Sequence, residues 1–356
     1  MSVFCFSSLK GGVGKTTLTV NVAHAFAQRG CKSLIIDFDP AGHASRLFLK
    51  ERRSEQPGGA VDSFSPAIEP MARQLLSRDF DETRAESCVA LAEVARECML
   101  SLRPELDILP SGAELRHFLW GRGSRAFAAA FPKMVKHFRL SYDHILIDTP
   151  PDFNVLTRNA IASADMVVVP VDSSEMSINS LEELIRTAQH IRGPVWSIVR
   201  TMVSRGASRI QRMTNDSLKN RLQVDLASDE NAPDFADTEF FMNVLRSRQA
   251  GGGLSPEEQN PIYLLRSMIS RTEQHNRLSF LGKTAFDGGA AAGNLSKQYL
   301  AVARELEEII AYLEEGEASV SSSEFLEELA NGSSMRSTGY TPSTSDFELA
   351  AFEGVR

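Results

Sequence analysis

The chain has 356 residues, 38 lysines and arginines against 46 aspartates and glutamates, and a formal net charge of -8. That length allows a sizeable core in one large domain or two, and the acidic balance excludes wholesale coating of nucleic acid while leaving a local basic face open. Cys5, Cys31, Cys88 and Cys98 form no C-x-x-C pair and show no metal spacing, so they read as reduced thiols. No apolar run approaches the roughly 18 residues that span a bilayer. The first strand begins at Val3, so no signal peptide is expected and the expected location is the cytoplasm.

Val3-Phe4-Cys5-Phe6 is a short apolar strand, and Leu18 to Arg29 carries helical spacing. Between them stands Lys10-Gly11-Gly12-Val13-Gly14-Lys15-Thr16-Thr17. Glycines let the backbone turn tightly, so that successive N–H groups point into one concavity. The helix N-terminus behind it adds partial positive charge, and such a turn favours phosphate. Lys15 is placed to reach the β- and γ-phosphates of a nucleotide, and the Thr16 hydroxyl to ligate Mg²⁺. A lone glycine turn is weak evidence; two lysines and a Thr pair within eight consecutive residues are far more specific.

Gly30 ends the helix. Ser33 to Pro40 is the second strand, apolar and then acidic, with Asp37 and Asp39 at its end. Residues 50–105 are less regular: Glu51 to Ala67 reads as a loop, and Asp79 to Leu102 has helical spacing. Leu106 to Pro110 is a short strand, Ser111-Gly112 turns into a helix, and Phe127 to Phe138 is an amphipathic helix. Tyr142 to Pro151 is a buried strand ending in Asp148, as a Walker B motif requires: the carboxylate sits near Mg²⁺ and the sheet holds it rigid. Ala164 to Val171 and Val195 to Val199 are further strands around a helix at Asn179 to His190. Arg200 to Arg221 is basic, Asp225 to Glu239 is acidic, and Gly251-Gly252-Gly253 looks like an insertion tip. Tyr263 to Ile269 is the last strand and Leu295 to Leu313 a long Glu-rich helix. Apolar strands alternating with helices predict a doubly wound α/β fold, a mainly parallel sheet with helices on both faces and ligands beyond the C-terminal strand ends. The expected domain is 1–315, with insertions near 50–105 and 225–262. Residues 316–356, Ser-rich and acidic, read as a disordered tail with one short helix at Glu324 to Leu329.

Five stretches in order resemble the ParA/MinD superfamily of deviant Walker A P-loop ATPases. They are Lys10 to Thr17, Ile35 to Pro40, Asp107 to Gly112, Ile145 to Pro151 and Val167 to Val171. A general P-loop asks for glycine where this chain has Leu9, and the second lysine, Lys10, is the deviant mark. The resemblance is to the short ParA form without an N-terminal helix-turn-helix. It departs at Ala41 and His43, where the family usually has Gln and Asn, and in the insertions and tail.

The resemblance implies an Mg²⁺-dependent ATPase acting as an ATP-bound homodimer. Lys10 would reach the partner's phosphates in trans, and Asp39 would orient the attacking water. Asp37 and Asp148, with Thr16, would serve the metal, and Thr17 the α-phosphate. Gly11, Gly12, Val13 and Gly14 would cradle phosphate, and Thr201 and Met202 lie where the family places adenine. It further implies non-specific DNA binding, through arginines such as Arg205, Arg209, Arg212, Arg271 and Arg277. A ParB-like or cargo-adaptor protein would stimulate hydrolysis, driving plasmid or chromosome partition. A protein-cargo positioner with the same cycle is the alternative. A MinD-like membrane cycle is disfavoured, because the ending is acidic and Glu305, Glu307, Glu308 and Glu314 would be repelled by an anionic bilayer. A cluster-bearing reductase is disfavoured too, since no cysteine follows a phosphate-facing strand end.

Overall fold

Runs of apolar residues without polar alternation form strands covered on both faces, which is how a central parallel sheet is built. The strands are β1 (Ser2–Phe6), β2 (Ser33–Asp37), β3 (Leu100–Arg103), β4 (Leu106–Leu109), β5 (His144–Asp148), β6 (Met166–Val171), β7 (Val195–Val203) and β8 (Ile262–Ser270). Every residue of β1, β2, β5 and β6 is buried. The computed structural model describes residues 1–48, 69–77, 80–81, 84–119, 121–191, 193–204, 212–214, 216–218 and 262–330. The expected loop at 51–67, Arg205, Arg209, the acidic stretch, the glycine triplet and residues 331–356 lie outside them.

The eight strands form one sheet in the order β3-β4-β2-β5-β1-β6-β7-β8. All neighbours are parallel except the β3–β4 hairpin. The expected doubly wound class therefore holds, with an antiparallel edge added. Register places Asp37 of β2 directly beside Asp148 of β5, and Phe6 of β1 on its other side. Three strand ends thus meet under the glycine loop.

The helices are α1 (Lys15–Gln28), α2 (Glu69–Leu76), α3 (Ala85–Glu97), α4 (Gly121–Phe138), α5 (Val155–Ala162), α6 (Glu175–Ala188), α7 (Glu273–Phe280) and α8 (Gly293–Ala330). Residues 43–48 are also helical, and Ala113–Phe118 is a 3-10 turn. α1 is buried from Leu18 through Phe26, polar residues included. Its Asn21 accepts the Ala285 N–H at 2.7 Å, and its His24 meets the Thr284 hydroxyl at 2.7 Å. Burial pushes His24 down to about 4, so it stays neutral and serves as a hydrogen-bonding core residue.

β8 is an edge strand, and α8 covers its exposed donors. Glu305 accepts the N–H groups of Arg266 and Ser267 at 2.6 and 2.9 Å, and Gln298 accepts that of Ser270 at 2.9 Å. Pairing of this kind blunts a free sheet edge. Glu305 is thus a structural cap, not part of an anionic outer face. The chain divides into a unit Met1–Ile310, which holds the sheet, and a unit Ala311–Arg356 whose residues 311–330 are helical. α8 continues past Gly316, where a disordered tail was expected to begin. One glycine costs about 1 kcal/mol in a helix interior, and no proline follows it before Ala330.

Four phenylalanines carry the fold's organisation towards the site. Phe38 follows β2 and separates Asp37 from Asp39 in sequence; its ring meets Phe131 at 4.5 Å and Phe127 at 5.5 Å. Phe118 stacks on Phe127 at 5.1 Å. Anchoring Phe38 in this cluster fixes the backbone from which both aspartates project. Truncating Phe131, which is 1% exposed, should cost about 3–5 kcal/mol. Urea unfolding of Phe131→Ala checks this, and a loss below about 1 kcal/mol would contradict the packing.

Candidate functional site

The glycine loop needs backbone that other residues resist. Gly12 and Gly14 have φ of +82° and +87°, in the left-handed region, and Gly14 is the residue from which α1 starts. A Cβ at Gly11 or Gly12 would meet nothing within 4 Å, so the loop faces open space. Thr201 donates its hydroxyl to the Val13 carbonyl at 2.8 Å, tying the loop to β7.

Below the loop sits Asp148, fully buried. It accepts the Thr16 hydroxyl at 2.7 Å and the Thr19 hydroxyl at 3.2 Å, and Lys15 Nζ lies 3.9 Å away. Lys15, 8% exposed, also donates to the Thr149 carbonyl. Burial pushes the Asp148 carboxyl up, and Lys15 and Thr16 pull it part of the way back. Asp37, also fully buried, accepts from the backbone and hydroxyl of Ser45 at 2.8 and 2.6 Å and from the Asp39 N–H at 3.2 Å. Burial, then the charge of Asp148, raises Asp37 to about 7. Two acids side by side in a dry place, with a threonine hydroxyl beside one of them, is a donor set that suits a hard divalent cation.

Asp39 is 7% exposed and faces the opening. It accepts the Ala41 N–H at 2.8 Å, and His43 Nδ1 stands 3.6 Å from its other oxygen. Lys10 does not point into the loop's own cradle. Its Nζ contacts Asp172 at 2.6 Å and the Ser174 hydroxyl at 2.7 Å. Burial works against ionised Asp172, but the hydrogen bonds from Lys10 and Ser174 outweigh it and hold the carboxyl below its ordinary range.

Two adjoining cavities open here. One, of about 670 Å³, is lined by Lys10 to Gly12, Gly14 to Thr17, Asp39, His43 and Lys283 among others. The second, of about 580 Å³, is lined by Val13, Gly14, Thr201, Met202, residues 269–273, His275, Asn276 and Tyr299. Both fall in the size range of small-molecule sites. They share Gly14, Thr17, Met202 and His275, so the two compartments are continuous. In the second, the Thr272 hydroxyl caps α7 by accepting the Gln274 N–H at 3.2 Å. His275 Nε2 lies 2.8 Å from the Tyr299 hydroxyl, and burial lowers its pKa. Met202 is held at φ +54°, an uncommon value for a residue with a side chain, where it borders both compartments.

A family model described as an AAA domain matches residues 1–198. The chromosome partitioning protein ParA of Caulobacter vibrioides is 28% identical over 228 residues, covering 61% of this chain and 75% of that protein. The cell division protein PomZ of Myxococcus xanthus is 27% identical over 52% of this chain and 51% of its own length. Apo McdA of Cyanothece superposes with a TM-score of 0.58 at 17% identity, covering 86% of this chain and 99% of that one. The chain belongs to the ParA-type P-loop ATPases.

For this ParA-type chain, the structure brings Gly11 to Thr17 and Asp39 to one mouth, with Thr201 and Met202 at its side and the paired Asp37 and Asp148 buried beneath it. Of the candidate DNA-contacting arginines, Arg212, Arg271 and Arg277 are exposed. Arg271 also lines the second cavity. Arg200, the first residue of the basic run, is turned inwards: it donates to the carbonyls of Leu265 and Arg266 at 3.0 and 3.1 Å. Sequence reasoning missed Asp172, Ser174, Ser45 and the wall formed by residues 269–276. Asp172 follows β6 directly, so the rule that ligands gather at C-terminal strand ends would have flagged it.

The raised Asp37 has a signed consequence. Unfolded, the group titrates near 3.8; folded, near about 7. Between those values the folded state binds more protons than the unfolded state, so stability falls as pH rises through that window. Asp37→Asn should lack this loss, and its stability relative to the natural protein should grow from pH 4 to pH 7. Urea midpoints across that range check it; parallel curves would mean that Asp37 is ionised throughout.

Proposed function

We propose that this chain binds ATP with Mg²⁺, pairs with a second copy around the nucleotides, and moves cargo by cycling on and off DNA. The single observation that carries this reading is the divided fate of its two loop lysines. Lys15 is committed inwards, to Asp148 and Thr149. Lys10 stands at the rim on Asp172 and Ser174, where a partner's phosphates would compete for it. In this reading the glycine loop and Lys15 hold the β- and γ-phosphates, and Thr17 meets the α-phosphate. The base enters the cavity beside Thr201 and Met202. Thr16, Asp37 and Asp148 would hold Mg²⁺, which supplies positive charge against the phosphates. Asp39, at the opening, orients the attacking water. Hydrolysis then depends on positioning and on charge stabilisation.

Support for the outer half of the cycle comes from the names of relatives and from exposed Arg212, Arg271 and Arg277. A partner protein of the ParB or adaptor kind would stimulate hydrolysis and release. Positioning of a protein cargo is the second reading, favoured by the likeness to PomZ, a cell division protein. Among the described residues no helix is long and apolar enough to cross a membrane. The anionic face that argued against a membrane cycle is smaller than it looked, since Glu305 and Glu307 are engaged internally.

Lys10→Ala should leave ATP binding by the monomer nearly unchanged and weaken ATP-driven dimerisation by at least about tenfold, which is about 1.4 kcal/mol. Light scattering with ATP decides it, and an undiminished dimer would remove Lys10 from the trans role. A random-sequence duplex should bind only with ATP, and its affinity should fall steeply with salt, by about 0.9 log units per phosphate contacted for each tenfold rise. Salt-independent binding, or none with ATPase activity intact, would shift the reading to a surface other than DNA.

A further inference from the structure

At the end of the sheet opposite the glycine loop, three side chains of different chemistry converge. Cys31 lies between α1 and β2, His144 opens β5, and Glu307 sits on α8. Their ligand atoms all fall within 4.8 Å of one another. His144 Nε2 is 3.1 Å from Glu307 Oε1, and Cys31 Sγ is 3.8 Å from that same oxygen. Tetrahedral zinc holds thiolate, imidazole and carboxylate donors roughly 3.2–3.6 Å apart, given its bond lengths of about 2.0–2.3 Å. The His144–Glu307 and Cys31–Glu307 separations are therefore within a few tenths of an ångström of those in a zinc shell.

We infer that Cys31, His144 and Glu307 form a binding site for Zn²⁺ or a similar borderline divalent ion, separate from the nucleotide site. Three observations make the cluster more than a chance meeting. The His144 ring is fixed: it packs on Phe26 at 4.2 Å and Phe4 at 5.7 Å between centroids. The ring presents Nε2 to the cluster, where its N–H donates to Glu307 Oε1 at 3.1 Å, and an ion would take the place of that proton. Glu307 is oriented from behind, because Arg29 pairs with its second oxygen at 2.5 Å, as outer partners orient metal-binding carboxylates. Cys31 and Glu307 are both partly exposed, which leaves an entry path and a fourth position for water.

The donor set also selects the ion. Thiolate and imidazole suit zinc and disfavour Mg²⁺, whose preference for oxygen belongs to the other end of the sheet. Binding forms the Zn–S bond as the Cys31 thiol proton leaves to solvent, and the Zn–N bond as the His144 ring proton passes from Nε2 to Nδ1, so affinity rises with pH. A bound ion would link α8 to the starts of β2 and β5, since Ser33 and His144 are register partners there. It would stabilise the folded chain in proportion to its occupancy.

The experiment uses the full-length chain without an affinity tag, stripped with chelator, and kept in saturating Mg²⁺ and ADP so that the phosphate cradle is occupied. Zn²⁺ is titrated against a chromophoric chelator, and Co²⁺ is titrated by absorption. One equivalent of each ion should bind, and Co²⁺ should show a thiolate charge-transfer band. Cys31→Ser should abolish that band, and both Cys31→Ser and Glu307→Gln should weaken Zn²⁺ by more than about tenfold, the scale on which even outer-shell partners act. Zn²⁺ should raise the thermal midpoint of the natural protein and of neither variant. Cys31 is partly exposed, so its serine variant should fold, and metal-free midpoints verify that. Failure to bind one equivalent, or a charge-transfer band that survives Cys31→Ser, would overturn the site and leave an Arg29–Glu307–His144 polar network beside an ordinary thiol.

Discussion

Burying a carboxylate costs several kcal/mol unless charge and hydrogen bonds compensate. Asp148 is the place where this chain meets that cost. Its compensation comes from the first turns of α1: Lys15, Thr16 and Thr19 all address it. That arrangement ties the start of α1 to the end of β5, and so sets the loop between β1 and α1 directly over three strand ends. The glycines then need only supply the two left-handed turns. Compensation is incomplete: Lys15 stands beside Asp148, while burial and the charge of Asp148 leave Asp37 holding its proton towards neutrality.

What the sequence made legible is what is contiguous along it. Lys10 to Thr17 form a local structure whose every member is within one turn of its neighbours, and an apolar strand ending in Asp148 needs no distant information. The sheet class followed from the same runs. The parts that were not legible depend on residues far apart: Lys10 meets Asp172 across 162 positions, and Asn21 meets Ala285 across 264. The wall at residues 269–276 was hidden for another reason. Its residues are mostly polar and short of periodic signal, and the strand before it alternates only weakly because α8 covers its edge. β3 was missed because Leu100-Ser101-Leu102-Arg103 continues the apolar spacing of α3, and short runs of that kind fit either period.

Charge counting misled most at the helix read as a solvated acidic face. A glutamate's role depends on what its carboxylate reaches. Glu305 closes the edge of β8, Glu307 joins Arg29 and His144, and Glu308 and Glu314 remain outside. Half of that face is therefore interior chemistry. The basic run shows the same thing in reverse, since Arg200 spends its guanidinium on two carbonyls and leaves the electrostatic surface to its neighbours.

The rim lysine then sets how the two halves of the proposed cycle are coupled. Lys10 and Asp172 are each about one-fifth exposed, so their pair is only moderately screened and is worth more than a fully solvated contact. On the reading proposed above, a partner's phosphates must outbid Asp172 and Ser174 together, a carboxylate and a hydroxyl already in good geometry. A monomer with a filled site would then gain little by meeting an empty one, and the balance would turn only when phosphate charge is present on both sides. On that reading, the same contacts that keep Lys10 in place in the single chain would make dimerisation conditional on nucleotide, through two residues just beyond the end of β6.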